Sequence, residues 1–196
     1  MPKKMVFLTI SFILILLVAG CSSLRYNMVA PEAKDFHPKR IGVLPVRVGS
    51  FAEAQGLIDR AVVAALADKK WFSRVVSIDA LIKQPGTHAE LQEVVTAYLT
   101  KQEKLNYSDP VLSRRIGQLS QVDALLIVSL DYWNYLKDAD YKIAKVGLGI
   151  RMANVETGQL VWEARHIRED KFLVIKPELS EVAQNLVKEM AGFMPR

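Results

Sequence analysis

Val122-Asp123-Ala124-Leu125-Leu126-Ile127-Val128-Ser129-Leu130 is the stretch on which the fold reading turns. Its centre is continuously apolar and short. A half-exposed strand would alternate, so this run predicts a central strand covered on both faces. After Asp131 the pattern changes. Tyr132, Trp133 and Tyr135 follow with polar residues between them, and Asp138-Ala139-Asp140 turns the chain. Residues 141–153 then alternate as a second long strand, with Ala144, Val146, Leu148, Ile150 and Met152 on the side expected to face inward. Gly147 and Gly149 share the other side. Glycines there indicate a close backbone approach or an aromatic ring lying across the strand. Glu156-Thr157-Gly158 forms a tight turn in which Gly158 can take a positive φ. Residues 160–166 return as a third strand, and 178–192 make a closing helix.

Toward the N-terminus, Ile41-Gly42-Val43-Leu44-Pro45-Val46 reads as a first buried strand, with Pro45 where the ladder needs no N–H. A helix is expected over 51–69, with Leu57, Ile58, Ala61, Val62, Ala65 and Leu66 on one face. Ser50 and Glu53 have the spacing of a capping box. Residues 74–78 form the next strand, and Asp79 caps a short helix over 80–83 that Pro85-Gly86 ends. A helix spans 89–104. Asp109-Pro110 caps and opens another, to about 120. Strand and helix alternate in the first half, which argues parallel pairing with right-handed crossovers. The second half is a meander, which argues antiparallel pairing. The expected fold class is therefore α/β: one domain over 40–196 with a mixed sheet packed by helices.

The N-terminus is of a different kind. Lys3 and Lys4 precede an apolar run from Met5 to Gly20. That run is short against the roughly 20 residues of a spanning helix, and it matches a secretory signal. Leu17-Val18-Ala19-Gly20-Cys21 looks like the processing signal of a bacterial lipoprotein. The resemblance implies a signal peptide over 1–20, with Cys21 acylated and anchored in a membrane. Two or three acyl chains hold firmly where one is marginal. Ser22, where Asp would signal retention in enterobacterial lipoproteins, implies the outer membrane with the domain in the periplasm. Residues 21–39 are expected as a lipidated tether, broken by Pro31 and Pro38. Leu24, Tyr26, Met28, Val29 and Phe36 are out of place in a linker, which leaves partial packing on the domain open. Cys21 is the only cysteine, so the exported fold has no internal disulfide and stands on its core alone.

The formal charge is +5, falling to +3 once Lys3 and Lys4 leave with the signal. The charges are interspersed, so no nucleic-acid binding is expected. No G-x-S-x-G elbow, phosphate loop, dinucleotide fingerprint or H-E-x-x-H occurs. His37, His88 and His166 lie far apart in sequence without ligand spacing, so neither metal nor cofactor is expected. Asp138 and Asp140 form the one candidate carboxylate pair, but they sit at a turn, where acids serve solvation. Tyr132, Trp133, Tyr135 and Tyr141 crowd the end of the central hairpin. They are the candidate protein interface, since aromatics are enriched there. Ordinary hairpin packing accounts for the same pattern.

Several pieces resemble envelope lipoproteins with the fold of the TolB N-terminal domain, a group that includes CsgG-like and LpoB-like proteins. These are Lys39 to Val46, Val76-Ser77, Val122 to Ile127, and Ile150-Arg151-Met152-Ala153-Asn154-Val155-Glu156-Thr157-Gly158-Gln159-Leu160-Val161-Trp162. Asn154 stands where the group usually carries an acid, and Gln121-Val122 replaces its usual Gly-Ala. The resemblance implies a non-enzymatic factor that binds envelope proteins, or further copies of itself, during envelope assembly or transport. A subunit of a CsgG-like secretion pore and an envelope enzyme without a familiar motif are the alternatives.

Overall fold

The computed structural model describes residues 24–84, 89–138 and 140–195. The expected signal, Cys21, Pro85-Gly86 and His88 lie outside the described residues. The elements in chain order are β1 (Tyr26–Val29), a 3-10 turn (Pro31–Asp35), β2 (Arg40–Val43), a second 3-10 turn (Ala52–Ala54) and α1 (Leu57–Asp68). Then follow β3 (Arg74–Ser77), α2 (Ile78–Ile82), α3 (Ala89–Leu105), α4 (Pro110–Ser120), β4 (Ala124–Asp138), β5 (Tyr141–Asn154), β6 (Leu160–Phe172) and α5 (Leu179–Ala191).

One six-stranded sheet runs in the order β1-β6-β5-β4-β2-β3. β2 pairs in parallel with β3 and β4, and every other pair is antiparallel. The fold is thus the expected mixed α/β sheet: parallel where strand and helix alternate, antiparallel through the meander. Asp123 locks the junction of the two halves. Its carboxylate accepts from the amides of Lys39 and Arg40 and from the Arg40 guanidinium, fastening the start of β2 to the start of β4.

The residues between β2 and α1 depart from the expected helix start. Gly56 takes φ +73° and the α-helix begins at Leu57, later than expected. The cap role falls to Asp59, not Glu53: its carboxylate accepts from the amides of Gly56 and Val46. Ser77, not Asp79, caps α2, accepting from the Ala80 amide. Asp109 caps α4 as expected, accepting from Val111 and Leu112.

The sheet has two unequal faces. On one, α1 and α5 bury Ile58, Val62, Leu66, Leu186 and Val187 against Leu126, Val128, Val146 and Leu148. Leu148 is fully buried, and removing such a side chain from water contributes about 1.5–3 kcal/mol. On the other face, α2, α3 and α4 pack Ile78, Leu91, Val95, Tyr98 and Ile116 over Leu125, Ile127, Ala153 and Val155. This second layer stops halfway along the hairpin.

Four residues of the stretch expected as a tether join the sheet as its edge strand. Tyr26–Val29 pairs antiparallel with β6, with all four side chains exposed. It is held by its backbone and by Asn27, whose side-chain oxygen accepts from the indole N–H of the buried Trp162 at 2.8 Å. A buried tryptophan ordinarily finds such a partner. The amide of Arg25 also donates to His166 Nδ1 at 3.3 Å, and Leu24 packs against the apolar core.

Candidate functional site

β4, β5 and β6 are 15, 14 and 13 residues long, and α3 and α4 cover only one half of their second face. From the covered margin outward, the register places this face in rungs. Met28, Glu163, Arg151 and Ile127 form one; Tyr26, Arg165, Gly149 and Ser129 the next. Ile167, Gly147 and Tyr132 follow, then Glu169, Lys145 and Asn134. This is an open sheet surface bearing charge and aromatic rings.

Its centre explains the glycines. A Cβ on Gly147 would stand 2.6 Å from Cδ2 of Tyr132, and one on Gly149 2.7 Å from Oγ of Ser129. Tyr132 lies across the strand, and only glycine leaves room for it. Lys145 sits 4.6 Å from the centre of the same ring and bonds Glu169 at 2.8 Å. Arg165 reaches Asp131 at 3.2 Å. These pairs are partly exposed and contribute little to stability.

At the covered margin lies a cavity of about 280 Å³, lined among others by Arg47, Gln55, Gln102, Glu103, Ile127 and Arg151. Gln102 is 4% exposed, and neither atom of its amide has a partner among the described residues. Such a group costs free energy until it is paired. Arg151 donates to Asn106 at 2.6 Å. Burial lowers its pKa, the field of Glu163 opposes this, and Arg47 and Arg165 add repulsion. No carboxylate lies within ion-pair distance of Arg47 or Arg151 among the described residues. Two guanidiniums and an amide with unmet donor and acceptor suit a carboxylate and an amide arriving together, as on an acidic peptide segment.

The four aromatics of the hairpin do not share one surface. A register shift between Leu130 and Tyr132 inserts Asp131, so Tyr132 falls on the open face and Trp133 and Tyr135 on the other. Trp133 is 5% exposed within the α1–α5 core. Tyr135 packs edge-on against Phe172 and donates to the Pro177 carbonyl at 2.8 Å. Tyr141 sits at the turn, its hydroxyl 3.0 Å from Lys171 Nζ. Asp138 and Asp140 are exposed at that turn. Among the described residues no cluster of three or more His, Cys, Asp and Glu side chains is arranged to hold a metal, and no helix is long and apolar enough to cross a membrane.

Two features escaped the sequence reading. Arg47, Gln102 and Arg151 come from three distant stretches and leave no local signature. Leu173-Val174-Ile175, between Lys171 and Lys176, is an aliphatic run that emerges fully exposed beyond β6.

No protein-family model matches the chain, and no curated protein matches its sequence. Solved structures do share its fold. A PelC dodecamer from Paraburkholderia phytofirmans is 14% identical with a TM-score of 0.54, covering 87% of this chain and 96% of that one. The lipoprotein GNA1162 from Neisseria meningitidis is 13% identical at 0.52, covering 79% and 99%. Protein XCC0632 from Xanthomonas campestris is 9% identical at 0.52, covering 88% and 91%. At these identities the likeness is one of fold alone.

Proposed function

We propose that this protein is a lipid-anchored envelope lipoprotein, attached through Cys21 to the outer membrane, whose periplasmic domain binds another protein without catalysing a reaction. One observation carries the reading. Half of one sheet face is left uncovered, and at its margin Arg47 and Arg151, neither in a salt bridge among the described residues, line one cavity with the buried, unpaired amide of Gln102. The fold shared with a lipoprotein supports the anchor, as does the sequence before Ser22. Tyr132 lies on the binding face in this reading, Tyr141 at its edge, and Trp133 and Tyr135 support it from the core side.

The test is a crosslinking pull-down from intact envelopes, comparing wild type with Arg151→Glu and with Cys21→Ser. A discrete partner lost with Arg151→Glu supports an acidic segment on the open face. A partner retained by both variants contradicts the reading.

A second reading has one specific observation behind it. PelC, which shares the fold, crystallises as a dodecamer, and β1 here presents an exposed outer edge for strand pairing. The partner is then another copy of this chain, and the pull-down returns a ladder of self-crosslinks.

A further inference from the structure

β6 ends at Phe172, and the chain continues as Leu173, Val174 and Ile175, exposed to 72%, 91% and 85%. Three consecutive aliphatic side chains in water are unusual, and none of them has a wall of protein beside it. Leu136, also exposed, lies on the adjoining hairpin turn. Lys137, Lys142, Lys171 and Lys176 flank this tip, with Asp138, Asp140, Glu169, Asp170 and Glu178 as the acids nearby. Lys171 stands 4.1 Å from the Tyr141 ring and Lys176 3.8 Å from the Tyr135 ring. Tyrosines and lysines bordering an aliphatic tip have the composition of side chains at a lipid headgroup boundary.

The direction of β1 adds an independent argument. It runs antiparallel to β6, so the chain before Tyr26 leads toward the end where β6 reaches Phe172. Tyr26 stands opposite Arg165, and the path from Arg165 to Phe172 covers about 23 Å. Residue 21 lies at most about 18 Å from Tyr26 along the chain. A lipid on Cys21 therefore cannot hold the domain far from the bilayer.

We infer that the Leu173-Val174-Ile175 loop inserts into the surface of a phospholipid bilayer, giving the domain a second membrane contact and a fixed orientation, an inference that rests on the lipid-anchor reading of Cys21. Nearby acids offset the four lysines, so apolar insertion does most of the holding. A protein interface of standard size needs about 800 Å² per partner, well beyond what three protruding aliphatic side chains supply.

The test uses full-length protein isolated from envelopes and placed in vesicles of phosphatidylethanolamine and phosphatidylglycerol. An NBD fluorophore is attached at Val174→Cys and, at the opposite end of the sheet, at Thr157→Cys. Mass spectrometry of the N-terminal peptide reports separately whether Cys21 is acylated. The expected result is emission at 174 that rises several-fold with vesicles and falls at least twofold with doxyl-labelled lipid, while 157 does not respond. Quenching at 174 with Cys21 unmodified supports insertion and removes the anchor reading. An acylated Cys21 with 174 unquenched overturns insertion and keeps the anchor. Emission that rises with protein concentration, and is not quenched by labelled lipid, overturns insertion in favour of a second copy.

Discussion

Tyr26 is paired with Arg165, and this register position decides how the domain stands relative to residue 21. A tether running to residue 39 would let the domain move tens of ångströms from its anchor. Pairing at Tyr26 shortens it to a few residues. Lengthening it is therefore expected to have consequences. Ten Gly/Ser residues inserted after Ser23 add up to roughly 35 Å of reach. Protease protection of the Leu173–Ile175 loop on vesicles is expected to fall. Unchanged protection would mean the tip holds without help from the anchor.

Trp133 is buried opposite Val146. Trp133→Ala is expected to destabilise the domain by about 3–5 kcal/mol, as truncation of a large core aromatic does. Urea unfolding followed by far-UV circular dichroism measures it. Lost partner capture with an unchanged urea midpoint would instead place Trp133 at the interface.

Gly147→Ala pushes a methyl group into the Tyr132 ring and toward Ile167. Overpacking of this kind costs about 1–3 kcal/mol. Adding Tyr132→Ala is expected to recover most of that loss, because the two changes share one volume. Additive losses in the four-membered cycle would show that the backbone, and not the ring, resists the methyl.

Four carboxylates among the described residues have shifted pKa values and shape the response to acid; one, the exposed Glu169, is lowered chiefly by its bond to Lys145. Asp109 is held below the ordinary carboxylate range chiefly by its bond to Lys101, with the Leu112 and Val111 amides helping and burial opposing. For Asp123 burial is the largest influence and raises the pKa, but the Arg40 side chain and the Lys39 and Arg40 amides together outweigh it and lower the value. Groups lowered on folding contribute stability above the unfolded pKa of about 3.9, and that contribution is lost as pH falls through their folded values. Asp59 has the opposite sign. Burial raises its pKa, so its ionisation weakens the fold as pH rises from about 3.9 through its folded value. Urea midpoints measured from pH 7 to pH 2.5 are expected to fall on the acid side, and the fall should be smaller in Asp109→Asn. Asp59→Asn should show a steeper fall than wild type, because it lacks the opposing term.

The central strand was legible because burial on both faces leaves a continuous apolar run. Its partners β2 and β5 were legible for related reasons. β1 was not, because an edge strand with four exposed side chains is held through its backbone and one asparagine, and neither produces a hydrophobic period. The far half of β6 was missed similarly. Residues 167–172 are mostly charged, with Glu169 paired to Lys145 across the strands and Arg168 to Asp170 within β6, so the polar pattern resembles a loop. The helix start after β2 was misplaced because Ser50-x-x-Glu53 has the spacing of a cap, while the working cap depends on the positive φ of Gly56. The aromatic hairpin showed its position but not its division between two faces, which a single inserted residue, Asp131, decides.

The most direct measurement is site-specific photo-crosslinking in intact envelopes. A photoreactive amino acid replaces Tyr132 on the open sheet face, and Arg114 on the helix side serves as reference. The account predicts a discrete adduct with a second protein from position 132, weakened by Arg151→Glu, and none from position 114. Equal adducts from both positions, or none from 132 while 114 captures a partner, would contradict it.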